Sequence, residues 1–378
     1  MITSVIDFAY ILVGIYSFIL ILTGTPLNLL CFYVFKRLIP NRSNATIIVF
    51  SYLSLIELLI PFTWNLNYAV RELIFKRQKT ITIKNLEQHS LLVCKLISYS
   101  AYFFLQCAAW LKTLATFARC VSLHNEWSIR NYLLKTNVIP CLCWIIIFLF
   151  ALINFPIWII NGERVISIDK YNHSQVQIKC YHSRFFQFWE IVHLLLYNFI
   201  PFTLMILCNI SIIRHVHESR NRTQRSKIRS QSLLKPPPTT TTSSSSSFPV
   251  RRSLPSSGSR LTKTLLSVTI FFILFTSPSA IFYISLGKII KRHRALITMI
   301  LSNLATTSHV LSFAIYWLTS TDFQEAVISF FYGRPFVTPR QATDEKRVSF
   351  TPPLSTLAVS NIETERKLPS LSSTQSFQ

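Results

Sequence analysis

Apolar residues in this chain run in long blocks, without the periods of 3.6 or 2 that mark one-sided helices and strands of a water-soluble core. Crossing about 30 Å of hydrocarbon takes roughly 20 apolar residues in a helix. Seven stretches reach that length: residues 8–35, 45–70, 91–121, 137–160, 185–216, 261–286 and 295–319. The blocks predict an all-α membrane protein, a seven-transmembrane helix bundle. Pro26, Pro61, Pro156, Pro201 and Pro278 fall inside these stretches. Membrane helices tolerate such prolines because neighbours re-satisfy the freed carbonyls, so they predict kinks and not ends.

The polar segments set the organisation. Residues 1–7 form a short N-terminus, residues 8–332 the seven-span domain, and residues 333–378 a tail rich in Ser, Thr and Pro. Between the fifth and sixth spans the stretch 217–260 holds Pro236, Pro237, Pro238 and a Thr/Ser tract up to Ser247. It has too little apolar surface to bury and is expected to be disordered, as is the tail. Residues 322–332 read as a short amphipathic eighth helix lying along the membrane face. The first residues carry no basic n-region, so the first block is expected to act as a signal anchor. No internal repeat or matched pair of broken helices points to a secondary transporter.

Charge then orients the bundle. With the N-terminus outside the cell, 22 of the 38 Lys and Arg fall on cytoplasmic segments and 13 on extracellular ones, leaving Lys95, Lys112 and Arg119 within spans. The sign favours an extracellular N-terminus in the plasma membrane, although much of the excess lies in the long loop and tail, which weigh little in the rule. A net charge of +23 would raise nucleic-acid binding in a soluble protein. Here the excess sits between and after apolar blocks, which argues for membrane lipid as the partner and against nucleic acid. Mean hydropathy is +0.39 with 50% hydrophobic residues. Cys141 and Cys143 sit in an apolar run with no paired His after them, so no zinc site is expected. The nine histidines form no evident membrane cluster, His193 and His309 standing isolated. No catalytic constellation, metal or cofactor is predicted.

The span count and a run of landmarks resemble the rhodopsin-like G-protein-coupled receptors over residues 24–332. Asn28 matches the family's first-span Asn, and Glu57 stands where the family has a buried Asp. Cys94 and Arg119 keep the spacing of the family's outer Cys and inner Arg, although Ala118 and Cys120 replace the flanking Asp and Tyr. Trp144, Pro201, and Phe272 with Pro278 match fourth-, fifth- and sixth-span positions, with Thr276 in place of the usual Trp. Of the seventh-span Asn-Pro-x-x-Tyr only Tyr316 remains, after Ser312 and Phe313. The resemblance implies a Cys94–Cys180 disulfide outside the cell, and Arg119, Phe272, Pro278 and Tyr316 as coupling and switch residues. Asn28, Glu57 and Lys112 form a buried polar core, in which charges within spans are expected to seek each other. Asn172 is a glycosylation sequon in an outer loop.

The family's pocket projects onto Ala101, Tyr102, Leu105 and Gln106 of the third span, Glu190, His193 and Tyr197 of the fifth, and Tyr283 of the sixth. Ala101 argues against a monoamine ligand and Thr306 against a retinal Schiff base. Arg71, Lys76, Arg77, Lys79 and Lys84, with Lys288, Lys291, Arg292 and Arg294, form a basic rim suited to an acidic ligand or to a solvated surface alike. The resemblance implies a receptor that transduces an extracellular ligand, a peptide being favoured, to a heterotrimeric G protein. A receptor-like protein with weak or unconventional coupling, and a transporter or channel, stay open.

Overall fold

The structure, a computed structural model, describes residues 2–38, 45–77, 85–124, 135, 137–168, 174–181, 183–233, 257–282 and 293–333. All of them belong to the unit Met1–Arg334. The expected tail beyond residue 333 lies outside the described residues. Seven helices are long and apolar enough to cross a membrane: Val5–Arg37, Ala45–Phe75, Leu91–Leu123, Val138–Ile160, Arg184–Ser219, Thr262–Ile281 and Arg294–Thr319. The all-α seven-span bundle predicted by the apolar blocks is the observed architecture.

The third span is the hub, packing on the second, fourth and fifth, while the first lies against the second and seventh. Close approach of the first span depends on two glycines. A Cβ on Gly14 would meet Glu72 Cβ at 2.7 Å, and one on Gly24 would meet Val310 Cγ2 at 2.8 Å. The fourth span turns Trp144, Phe148 and Ile159 outward at 60%, 65% and 64% exposure. A face so apolar is expected to meet acyl chains, since water would penalise it heavily.

Breaks in the spans have local causes. Pro61 lacks an N–H, and the second span is interrupted there by a 3₁₀ turn, Ile60–Phe62. The carbonyl of Ile60 is satisfied instead by the backbone N–H and the hydroxyl of Thr63, at 3.1 and 2.7 Å. Pro201 removes the donor that Tyr197 O would receive four residues on, and the preceding residues Leu195–Phe199 form a π-helical turn. That turn buries both Tyr197 and Asn198. The seventh span breaks at Leu311 between Arg294–Val310 and Ser312–Thr319 without any proline. Ser308 and Ser312 hydroxyls donate to the carbonyls of Ala305 and Ser308, a back-bonding that bends helices.

The stretch 217–260 expected to be disordered is described only at its ends: the fifth-span helix continues to Leu233 and the sixth-span helix begins at Ser257, while residues 234–256 lie outside the described residues. Residues 217–233 contain neither Gly nor Pro and are rich in Arg, Gln and Lys, which propagate a helix well. Composition alone had obscured this.

Two strands, β1 (Glu163–Ile168) and β2 (Ser174–Lys179), pair antiparallel between the fourth and fifth spans, with Glu163 opposite Lys179. Just after β2, Cys180 forms a disulfide with Cys94 at the start of the third span, Cα atoms 6.1 Å apart. After the seventh span a helix, Thr321–Phe331, is capped by the Ser320 hydroxyl and buries Phe323, Ala326 and Val327 while exposing Phe331.

Candidate functional site

Near the disulfide-bearing end, the second, third, fifth, sixth and seventh spans enclose a cavity of about 100 Å³. Tyr102, Leu105, Glu190, His193 and Tyr197 are among the residues that line it. Ala101 and Gln106 lie outside that lining. Ala101 is fully buried, and Gln106 instead bridges His193 and Asn154 at 3.2 and 2.6 Å. Tyr283 lies outside the described residues. Trp64, Asn65 and Asn198, which the sequence did not single out, also line the space, as does Thr306 of the seventh span. Asn65 belongs to a buried polar seam that ties three spans. Ser17 and Asn65 both donate to Asn303 Oδ1, at 2.9 and 2.7 Å, and Thr306 donates to Asn65 Oδ1 at 2.9 Å.

Below the cavity the polar contacts continue toward the bundle centre. His193 stacks on Tyr197, ring centroids 5.3 Å apart. The Tyr197 hydroxyl lies 3.3 Å from His309 Nε2, and His309 Nδ1 lies 3.0 Å from Glu57 Oε1. Lys112 Nζ lies 2.8 Å from the same carboxylate oxygen, with Lys112 2% and Glu57 0% exposed. One proton assignment satisfies these contacts: Tyr197 donates to Nε2, Nδ1–H donates to Glu57, and the ammonium pairs with the carboxylate. The 3.1 Å separation of Lys112 Nζ from His309 Nδ1 is then proximity between two donors. The ammonium also sits 4.3 Å above the Phe272 ring, a cation–π contact. His309, read from the sequence as isolated, is therefore a member of the buried group. A histidine within an apolar block carries no sign of which way it faces. Asn28 reaches the group through its Nδ2, which donates to His309 O at 3.5 Å.

At the opposite end, Arg119 is 9% exposed and donates to the Thr262 hydroxyl at 3.3 Å and to the Ser122 hydroxyl at 3.4 Å. Thr262 opens the sixth span, so this arginine links the third span to the sixth. Tyr316 is buried among Phe35, Phe50 and Phe323, with centroids 5.0 to 5.7 Å away. Pro278 lies inside the sixth helix, in sequence after the buried Phe272.

The disulfide end departs from the uniform basic rim expected. Glu72, 1% exposed, receives Arg71 at 2.7 Å and Lys76 at 2.6 Å, so two rim cations are neutralised from beneath. Glu87 is also buried and accepts from the Tyr181 hydroxyl at 3.0 Å. Burial pushes its carboxyl up from 4.5 to about 7, the Tyr181 bond and nearby Arg71 pulling in the other direction. Tyr181 adopts φ of 59°, next to the bridged Cys180, and packs on Phe186 in a cluster with Tyr102 and Trp189. Asn172 and Lys79, Lys84, Lys288, Lys291 and Arg292 lie outside the described residues. Among the described residues no group of three His, Cys, Asp or Glu could hold a metal ion.

The family model for the seven-transmembrane receptors of the rhodopsin family matches residues 69–319. No curated protein matches the chain.

Proposed function

This chain belongs to the rhodopsin family of seven-transmembrane receptors, and on that premise we propose that it binds an extracellular peptide and passes the signal to a heterotrimeric G protein. The disulfide end faces outward in this reading, and Arg119 faces the cytosol. One observation carries it. The cavity wall connects through Tyr197 and His309 to the Glu57–Lys112 pair, whose ammonium rests on Phe272 of the sixth span. A ligand that displaces Tyr197 perturbs a buried charge, and low surrounding polarity makes such a perturbation strong. The sixth span is held to Arg119 through Thr262, so its movement would break that contact.

A peptide is favoured by the β1–β2 hairpin that precedes the fifth span in sequence. Ile166 and Val176 face each other across it and are 69% and 67% exposed. A two-stranded sheet with an exposed apolar pair offers an extended chain a place to add a strand. The test is a peptide library applied to cells expressing the chain together with each class of Gα subunit, read as second-messenger change. Responses lost on Arg119→Ala at equal surface level support the reading. Binding without any such response favours instead a receptor-like protein with unconventional coupling, which the replaced flanks of Arg119 also suggest.

A further inference from the structure

Resting on that receptor reading, we infer that the cavity takes one ring bearing a hydroxyl, a phenol, whose hydroxyl pairs with the side-chain amide of Asn198. Three observations lead there. The first is size. Drug-sized ligands occupy roughly 300–1,000 Å³, whereas an apolar cavity of about 150 Å³ suffices for benzene. At about 100 Å³ this one matches a single ring-sized group, after small side-chain shifts, better than a whole drug-sized ligand.

The second is the unanswered amide. Asn198 lines the cavity, is 3% exposed, and its Oδ1 has no hydrogen-bond partner. It was brought inward by the π-helical turn ahead of Pro201. A buried acceptor without a donor is costly, and native interiors rarely keep one unless something else supplies the partner. A hydroxyl both donates and accepts, so it complements an amide whichever of its atoms turns toward the ligand. The third is the rest of the wall. Trp64, Tyr102, His193 and Tyr197 supply aromatic faces suited to a ring. Among the described lining residues none is Lys or Arg, and Glu190 is a carboxylate. Glu190 would repel a carboxylate on the ligand and already lies near Arg294, so a neutral phenol suits this wall better than a benzoate.

A phenol reaches this site either as a tyrosine side chain of the peptide or as a free small molecule. The full chain in lipid nanodiscs, probed by saturation-transfer NMR with p-cresol, 4-methylanisole and toluene, tests the shared chemistry without any G protein. Failure here therefore leaves the receptor reading standing, and a receptor without G-protein response leaves this site standing. We expect p-cresol to bind about tenfold more tightly than either analogue, and Asn198→Leu to reduce that preference to within about twofold while toluene still binds. Equal binding of the three probes, or an unchanged preference in Asn198→Leu, overturns the proposal. Should the variant not fold, photolabelling of the wild type with p-azidophenol decides. Tags on peptides containing Asn198 or Thr306 support the site, and tags only elsewhere overturn it. Displacement of p-cresol by Ala-Ala-Tyr-Ala-Ala amide but not by its Phe counterpart assigns the peptide source. Displacement by neither, with the p-cresol preference intact, assigns a free phenol.

Discussion

Removing Lys112 should destabilise this protein more than almost any other single change, because it would strand Glu57 in the bundle centre. Glu57 is fully buried, Lys112 nearly so, and the two lie 2.8 Å apart. Breaking such a pair from one side typically costs about 3–5 kcal/mol, while replacing both partners with apolar residues is often close to neutral. At about 2–4 °C per kcal/mol, Lys112→Met should lower the midpoint of thermal unfolding in nanodiscs by roughly 6–20 °C. Glu57→Gln should do the same, and the double variant should recover most of the loss. His309 adds a further expectation, since its Nδ1 lies 3.0 Å from the same oxygen. In Lys112→Met a proton on His309 can replace the missing charge, so the loss should shrink as the pH is lowered. In Lys112→Met with His309→Phe it should not. Additive losses in the Glu57–Lys112 cycle, or a Lys112→Met deficit independent of both pH and His309, would mean that the two groups are not a coupled pair. The ammonium occupies the place where a dissolved cation would otherwise neutralise Glu57, so exchanging sodium for a bulky organic cation should leave the wild-type midpoint unchanged.

Three other predictions concern the ends of the bundle. The Cys94–Cys180 bridge closes a stretch of 86 residues, worth about 4 kcal/mol by loop entropy; Cys180→Ser should cut the surface-expressed fraction sharply, and linked peptides should appear in non-reducing mass spectrometry. Ala118 leaves Arg119 without the preceding acid, so Ala118→Asp should lower basal nucleotide exchange at equal surface level, and an unchanged basal rate would deny that arginine its role. Glu87 binds its proton more tightly folded than unfolded, with a carboxyl raised from 4.5 to about 7. The folded state therefore holds more protons across that window, and its contribution to stability is present below pH 4.5 and lost as pH rises through about 7. Over that range wild type should lose about 3 kcal/mol relative to Glu87→Gln, as read by paired denaturation at pH 5 and pH 8.

The spans were legible because lipid imposes a length and an apolarity that nothing else in a chain imitates. Glu57 and Lys112 were legible for the converse reason, charges in such blocks being conspicuous. His309 and Asn198 were not. Neither residue type is unusual in a span; Asn198 is turned inward within the π-helical turn ahead of Pro201, and His309 by the packing of the seventh span. The basic rim misled because a count of cations ignores Glu72, whose burial beneath Arg71 and Lys76 emerges only when the first span packs Gly14 against it. Of the projected pocket, Tyr102, Leu105, Glu190, His193 and Tyr197 reach the cavity, while Ala101 is buried outside its lining and Gln106 accepts from Asn154 of the fourth span. A one-residue difference in helical phase suffices to make that distinction.

Nucleotide exchange on purified heterotrimers of each Gα class, with the receptor reconstituted in nanodiscs, decides whether Arg119 couples this chain to a G protein. The wild type should accelerate exchange on at least one class even without ligand, and Arg119→Ala, at equal folded amount, should return the rate to that of the G protein alone. Exchange that no class shows, or acceleration that survives Arg119→Ala, would contradict that coupling.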